Sequence, residues 1–308
     1  MKKINLLAYV VFITVLVSCT QEPPFPPEEI DIEGKQYELT FFDDFDKGKY
    51  SDNWRLACYI EGQIGKRGDY SNITQKIGDV GEYNSVKGGK AVDGVNAYTE
   101  DGVMHIVQTR EFDETTKNWT LCTPAIESIK MFPVNSLIEV KFKMEVKGQL
   151  SNYQIYLNPG KRFTVPNDKG YTFKQLFACE LISGIKNKVK YTSNIWLGTK
   201  EKEYAESISV NDFNGYDMPD EKFYEWHIAR MLYTDTGFYV WHDGLQTFNY
   251  NWDSGKYGAP DCDVSIHLEN NTCGEWSPVN RDWMGKMDTN KKTVDYQIDY
   301  VKVYNEVK

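Results

Sequence analysis

One carboxylate stands in the middle of the most apolar run of the mature chain. The run is Phe173–Ile185, FKQLFACELISGI, and the carboxylate is Glu180. The segment is rich in strand formers, and alternate residues of a strand share a face. Glu180 therefore groups with Ile182 and Gly184, while Cys179, Leu181 and Ser183 point the other way. A carboxylate on such a strand needs a partner, a sugar or water to be tolerable. The pattern predicts a strand that floors a cleft, with Glu180 turned to a ligand. The plainer alternative is a strand-end glutamate that reaches solvent or an ion pair.

Other reactive residue types are thinly spread. The four histidines (His105, His227, His242, His267) stand singly, and no CxxC or His/Cys cluster has the spacing of a zinc site. The formal net charge of -10 argues against a nucleic-acid partner, whose phosphates such a chain repels. An acidic chain rich in aromatic residues and punctuated by Gly and Asn suits a binder of neutral polyols.

At the N-terminus, Lys2 and Lys3 precede an apolar segment, Ile4–Val17, too short for a spanning helix and flanked as a secretory signal. It ends in Leu16-Val17-Ser18-Cys19, which resembles the bacterial lipobox. That resemblance implies cleavage before Cys19, lipid on its sulfur, and anchoring to the outer membrane without a transmembrane helix. Residues 1–18 thus form the signal peptide. Residues 19–34 read as a tether, with four prolines and five acids in Thr20–Gly34. Residues 35–308 form one domain, expected as a monomer. Cys58, Cys122, Cys179, Cys262 and Cys273 lie in an oxidising compartment; Cys262 and Cys273 can bridge, and buried free thiols are the alternative.

The elements that must position Glu180 are strands. YELTFFDDF, GVMHIVQTR, LIEVKFKMEV, YQIYL, TSNIWLG, YEWHIARMLY, GFYVWHDG, DVSIHLEN and VDYQIDYVKVY alternate or run apolar, with turn residues between them. No helical period is sustained and no internal repeat occurs, so the expectation is an all-β sandwich or barrel. Asp235–Gly237 and His242–Gly244 have the chemistry of tight hairpin turns. The turn-rich segments Ile60–Val95, Asn158–Tyr171 and Cys273–Thr293 are longer than hairpins need, as loops that carry function or decorate a rim.

Six pieces in order resemble glycoside hydrolase family 16, the laminarinase, lichenase and agarase family. They are Leu39–Trp54, Asp101–Glu111, Thr123–Met144, Phe223–Gly244, Ser265–Trp276 and Ile298–Asn305. The resemblance implies a concanavalin-like jelly-roll sandwich of two antiparallel sheets with a concave ligand cleft. The family's catalytic strand reads Glu-x-Asp-x-Glu, or Glu-x-Asp-x-x-Glu with a bulge. Taken with Glu180 at the nucleophile position, Ile182 replaces the assisting Asp, and Gly184 or Ile185 the acid/base. A lone carboxylate forfeits general acid catalysis, typically worth 10²–10⁴-fold. Glu127 or Glu139, on a neighbouring strand, can be the replacement acid.

The resemblance also assigns sugar-binding positions, since aromatic faces stack on pyranose rings and amides or carboxylates bond the hydroxyls. Trp276 borders the cleft in the family's "GG.W" position, with Glu275, Asn270 and Asn271 as hydrogen-bonding neighbours. Trp196 follows the catalytic strand, Tyr153 and Tyr156 stand in the "fWl" strand, and Trp119 precedes the TPAIES strand. Aromatic residues are more often core than ligand platforms. No cofactor is required. A structural calcium on the convex side is implied at Asp44 and Asp299, although two acids fall short of the six or more oxygens such an ion takes. The expected function is a lipoprotein that binds a β-glucan or galactan on a domain that has lost hydrolysis. The alternative is an active hydrolase with Glu180 as nucleophile and a non-standard acid/base.

Overall fold

The computed structural model describes residues 29–32, 34–47, 49–57, 74–75, 85–88, 91–116, 118–147, 151–160, 166–183, 189–202, 205–209, 216–218, 220–252, 256–272 and 290–307. Strands come first as β1 (Glu29–Ile32), β2 (Lys35–Asp43), β3 (Trp54–Ala57), β4 (Thr74–Gln75), β5 (Ser85–Gly88), β6 (Ala97–Glu100) and β7 (Val103–Asp113). They continue as β8 (Asn118–Cys122), β9 (Ala125–Ser128), β10 (Ser136–Met144), β11 (Ser151–Pro159), β12 (Tyr171–Ser183), β13 (Val189–Thr199) and β14 (Glu206–Ser209). The rest are β15 (Tyr216–Met218), β16 (His227–Tyr233), β17 (Gly237–His242), β18 (Leu245–Asn251), β19 (Val264–Thr272) and β20 (Thr293–Glu306).

The strands form two sheets. The larger runs β18-β17-β16-β10-β20-β7-β8-β5-β4, with β2 on β20, β1 on β2 and β6 on β7; the smaller runs β14-β13-β12-β11-β19-β9-β3, with β15 on β13. All pairs are antiparallel except β5 with β8. This is the expected jelly-roll sandwich.

Period-2 alternation builds the core between the sheets. Ile126, Ile155, Leu157, Leu176, Ile195, Leu197, Ile266 and Leu268 of the smaller sheet meet Ile106, Ile138, Val140, Phe142, Met231, Val240 and Val303 of the larger. Fully burying one such side chain contributes about 1.5–3 kcal/mol. Two local motifs do what their chemistry predicts. Asp43 Oδ2 accepts the Trp54 indole N–H and the Asn53 amide, each at 2.9 Å, and its Oδ1 accepts Phe45 N–H at 3.0 Å. Asp243 and Gly244 turn β17 into β18 with φ of 49° and 83°, the left-handed pair that a two-residue hairpin requires.

The tether expected over residues 19–34 needs one correction. Its last residues are β1, which pairs with β2 from Glu29 opposite Glu38 to Ile32 opposite Lys35. Residues 29–32 thus belong to the larger sheet, with Gly34 at φ 79° in the turn.

Candidate functional site

The face of the smaller sheet turned away from the core, the concave face of the jelly roll, carries polar residues on adjacent strands. Residues directly opposite in a ladder share a face, so the register defines rows across the sheet. One row reads Asn194–Phe177–Tyr156–His267–Glu127–Arg55 through β13, β12, β11, β19, β9 and β3. The next reads Thr192–Glu180–Gln154–Glu269–Ala125.

Several side chains of the first row are bonded to one another or to Glu269 of the second. Tyr156 OH donates to Glu269 Oε2 at 3.0 Å, and its ring stacks on His267, 4.4 Å between centroids. Asn158 Nδ2 lies 3.1 Å from His267 Nδ1. An amide NH₂ only donates, so Nδ1 accepts and the neutral ring carries its proton on Nε2. That nitrogen is 3.7 Å from Glu269 Oε2. Glu127 accepts Ser265 Oγ at 2.7 Å and is paired with Arg55, whose Nη2 is 3.0 Å away. Glu269 and His267 are buried and Glu127 nearly so, and each buried carboxylate has donors or a cation to offset its desolvation.

Strand β12 is irregular at the decisive place. Against both neighbours its register shifts between Phe177 and Glu180: Phe177 pairs with Tyr156 and Asn194, and Glu180 with Gln154 and Thr192. Ala178 and Cys179 form this β-bulge, and both belong to the core cluster. The Ala178 carbonyl accepts Ser193 Oγ at 2.7 Å and His242 Nε2 at 2.9 Å, the latter from β17 of the opposite sheet. Gln175, Phe177 and Glu180 thus stand opposite Trp196, Asn194 and Thr192, three alternate positions of β13. His242 is buried, and its pKa is pushed down to about 4, chiefly by desolvation, so it stays neutral.

The residues expected to bind sugar separate into groups. Trp196 is half-buried on β13 opposite Gln175, and Asn271 stands opposite Asn152 on β19, one row beyond Glu269. Tyr156 is on the right face but fully buried, with its ring against His267 and Phe177; it is floor rather than an exposed platform. Tyr153 is corrected outright. Alternation turns it into the core, where its ring meets Tyr296 at 5.2 Å and its OH bonds the Val146 backbone. Asn270 also faces inward, its Nδ2 donating to the Ile106 and Val294 carbonyls. Trp119 is on β8 of the larger sheet, outside the rows described here. Trp276 and Glu275 lie outside the described residues, as does Cys19.

Of the two replacement acids, Glu127 shares the concave face, whereas Glu139 does not. Glu139 is on β10 of the larger sheet, bonded to Arg230 Nε at 2.5 Å and Tyr300 OH at 2.8 Å. Glu269 is a site residue that sequence reasoning missed; it lies inside Ser265–Trp276, one of the six pieces that resemble the family.

The calcium positions fit a metal poorly. Asp299 is held by the Lys141 ammonium at 2.6 Å, and Asp44 Oδ1 accepts Asp46 N–H at 3.3 Å. Among the described residues no group of three or more His, Cys, Asp or Glu side chains is placed to hold a metal ion.

Sheet order, core and polar outer face define a jelly-roll sandwich of two antiparallel sheets. Solved structures agree at the level of fold. The endo-β-1,3-glucanase of Pyrococcus furiosus superposes with a TM-score of 0.58 at 15% identity, covering 92% of this chain and 99% of that one. The laminarinase catalytic domain of Thermotoga maritima gives 0.58 at 16%, covering 88% and 99%. A non-specific endo-β-1,3(4)-glucanase from family GH16 gives 0.58 at 14%, covering 87% and 95%. No protein-family model and no curated protein sequence matches the chain.

Proposed function

We propose that the protein is a lipoprotein, anchored to the bacterial outer membrane through Cys19, that binds a β-glucan or galactan on its concave face and has lost the family's hydrolysis. The observation that carries this reading is the pair of polar rows over β13, β12, β11, β19, β9 and β3. A sheet face built from Thr192, Asn194, Gln154, Glu269, His267, Glu127 and Arg55 is costly as packing and apt for hydroxyl groups. Glucanases and laminarinases among the solved neighbours support a polysaccharide ligand. Loss of hydrolysis follows from β12, where one carboxylate stands instead of three.

A second reading, hydrolysis with a non-standard acid/base, has one observation in its favour. Glu269 stands in the row of Glu180, with only Gln154 between them. Affinity electrophoresis against laminarin, lichenan, agarose and other β-glucans and galactans, run beside a reducing-end assay, separates the two. The binding reading expects retardation by at least one polymer with no reducing ends above background, and loss of retardation in Trp276→Ala. Turnover by the wild-type protein that disappears in Glu180→Gln would establish the hydrolase instead. Absence of both retardation and turnover would refute both.

A further inference from the structure

The bulge in β12 changes which member of the catalytic pattern Glu180 represents. In Glu-x-Asp-x-x-Glu the one extra residue between the second and third carboxylates is what a bulge accommodates, returning the third to the face of the first two. The register shift of β12 falls between Phe177 and Glu180 on both sides of the strand. Counting from that bulge, the three positions are Gln175, Phe177 and Glu180. They are the three that pair with Trp196, Asn194 and Thr192. Leu176, Ala178 and Cys179 meanwhile belong to the core, so the residues between these three positions are the ones that β12 turns inward.

We infer that Glu180 is the surviving acid/base of the pattern, not its nucleophile, and that Gln175 and Phe177 occupy the places of the nucleophile and the assisting acid. The inference rests on the glycan-binding reading and says how hydrolysis was lost. In a retaining double displacement the nucleophile's carboxylate oxygen bonds to the anomeric carbon as the glycosidic C–O bond breaks. The acid/base protonates the departing oxygen, then deprotonates the water that cleaves the glycosyl ester. A Gln175 carboxamide matches a glutamate in shape but has no anionic oxygen to form that ester. Phe177 is buried against Tyr156, 4.6 Å between ring centroids, and supplies no proton. The site therefore keeps the outline of a sugar cleft, with the chemistry removed at its first position.

The frame is tested by restoring it. Gln175→Glu with Phe177→Asp is expected to release reducing ends from a polymer that wild type only retards, with a rate about 10²-fold or more above background. Adding Glu180→Gln to that variant should remove the gain. Gln175→Glu alone, which preserves size, guards against misfolding of the double variant, and retardation in the gel verifies its cleft. The competing frame, with Glu180 as nucleophile, predicts the gain from Ile182→Asp with Gly184→Glu instead. Turnover by that pair and not by the Gln175 variants overturns the inference. So does silence from the Gln175 variants on a polymer that they and wild type both retard. If wild type retards nothing and the Gln175 variants cleave nothing, the glycan-binding reading fails and the inference falls with it.

Discussion

His242 Nε2 donates a hydrogen bond to the Ala178 carbonyl across the interior of the sandwich, at 2.9 Å. One residue of the larger sheet thereby holds the bulge that sets the frame of the smaller sheet's central strand. The ring is buried and neutral, with Asp243 and His227 as its charged or titratable neighbours. The unfolded chain binds a proton at about 6.5, the folded chain only at about 4. Folded-state stability from this group is thus complete above about pH 6.5 and lost as pH falls towards 4. The gap corresponds to about 3 kcal/mol.

Urea titrations at pH 7.5 and pH 4 check this. Wild type should lose more stability over that interval than His242→Phe, which has no ring nitrogen to protonate. His242→Phe should also be less stable at pH 7.5, because the Ala178 carbonyl then keeps only Ser193. Equal pH slopes in the two proteins would remove His242 as the source.

Tyr156→Phe deletes the hydroxyl that donates to Glu269 Oε2 and leaves a buried carboxylate short of a donor. The expected loss is about 1–3 kcal/mol at neutral pH. Combining it with Glu269→Gln should cost less than the sum of the two single changes, since the hydroxyl and the carboxylate act on each other. Strict additivity in denaturant unfolding would mean that the 3.0 Å contact contributes nothing.

The Lys141 ammonium takes Asp299 Oδ2 at 2.6 Å, where the family resemblance implies a calcium ligand. Thermal melts in calcium and in a chelator should therefore coincide within about a degree. Lys141→Ala should cost no more than about 1 kcal/mol, the usual scale for a half-exposed pair. A rise of several degrees in calcium for wild type would return a metal to the convex side.

Truncation distinguishes tether from strand. Mature protein starting at residue 29 should melt with the full mature form. A form starting at residue 35 loses β1 and its pairing with β2, and should melt several degrees lower. Independently, Cys19→Ala should move the protein out of the membrane fraction; a variant still membrane-bound after a salt wash would refute lipid attachment.

Sequence periodicity and turn chemistry are local, and what they foretold was local. Alternation in GVMHIVQTR, LIEVKFKMEV and VDYQIDYVKVY became β7, β10 and β20, and the Asp243–Gly244 pair became a hairpin turn because only its own backbone angles had to be satisfied. Six ordered resemblances were enough for the jelly roll. The site was less legible. Tyr153 and Tyr156 are three residues apart and equally aromatic, yet one enters the core and the other floors the concave face. Nothing in either side chain decides that; the phase of β11 against β19 does. Glu139 and Glu127 look alike in the sequence and fall on different sheets. Glu269 acquires its meaning from Tyr156 and His267, one of them 113 residues away along the chain. The bulge at Ala178 is the clearest case. An extra residue in a strand has no signature of its own, because it is defined by the partners' registers and held by carbonyl bonds from Ser193 and from His242 in the other sheet. Tertiary contacts alone could decide the frame of Gln175, Phe177 and Glu180, since a shift of one position in β12 exchanges its two faces.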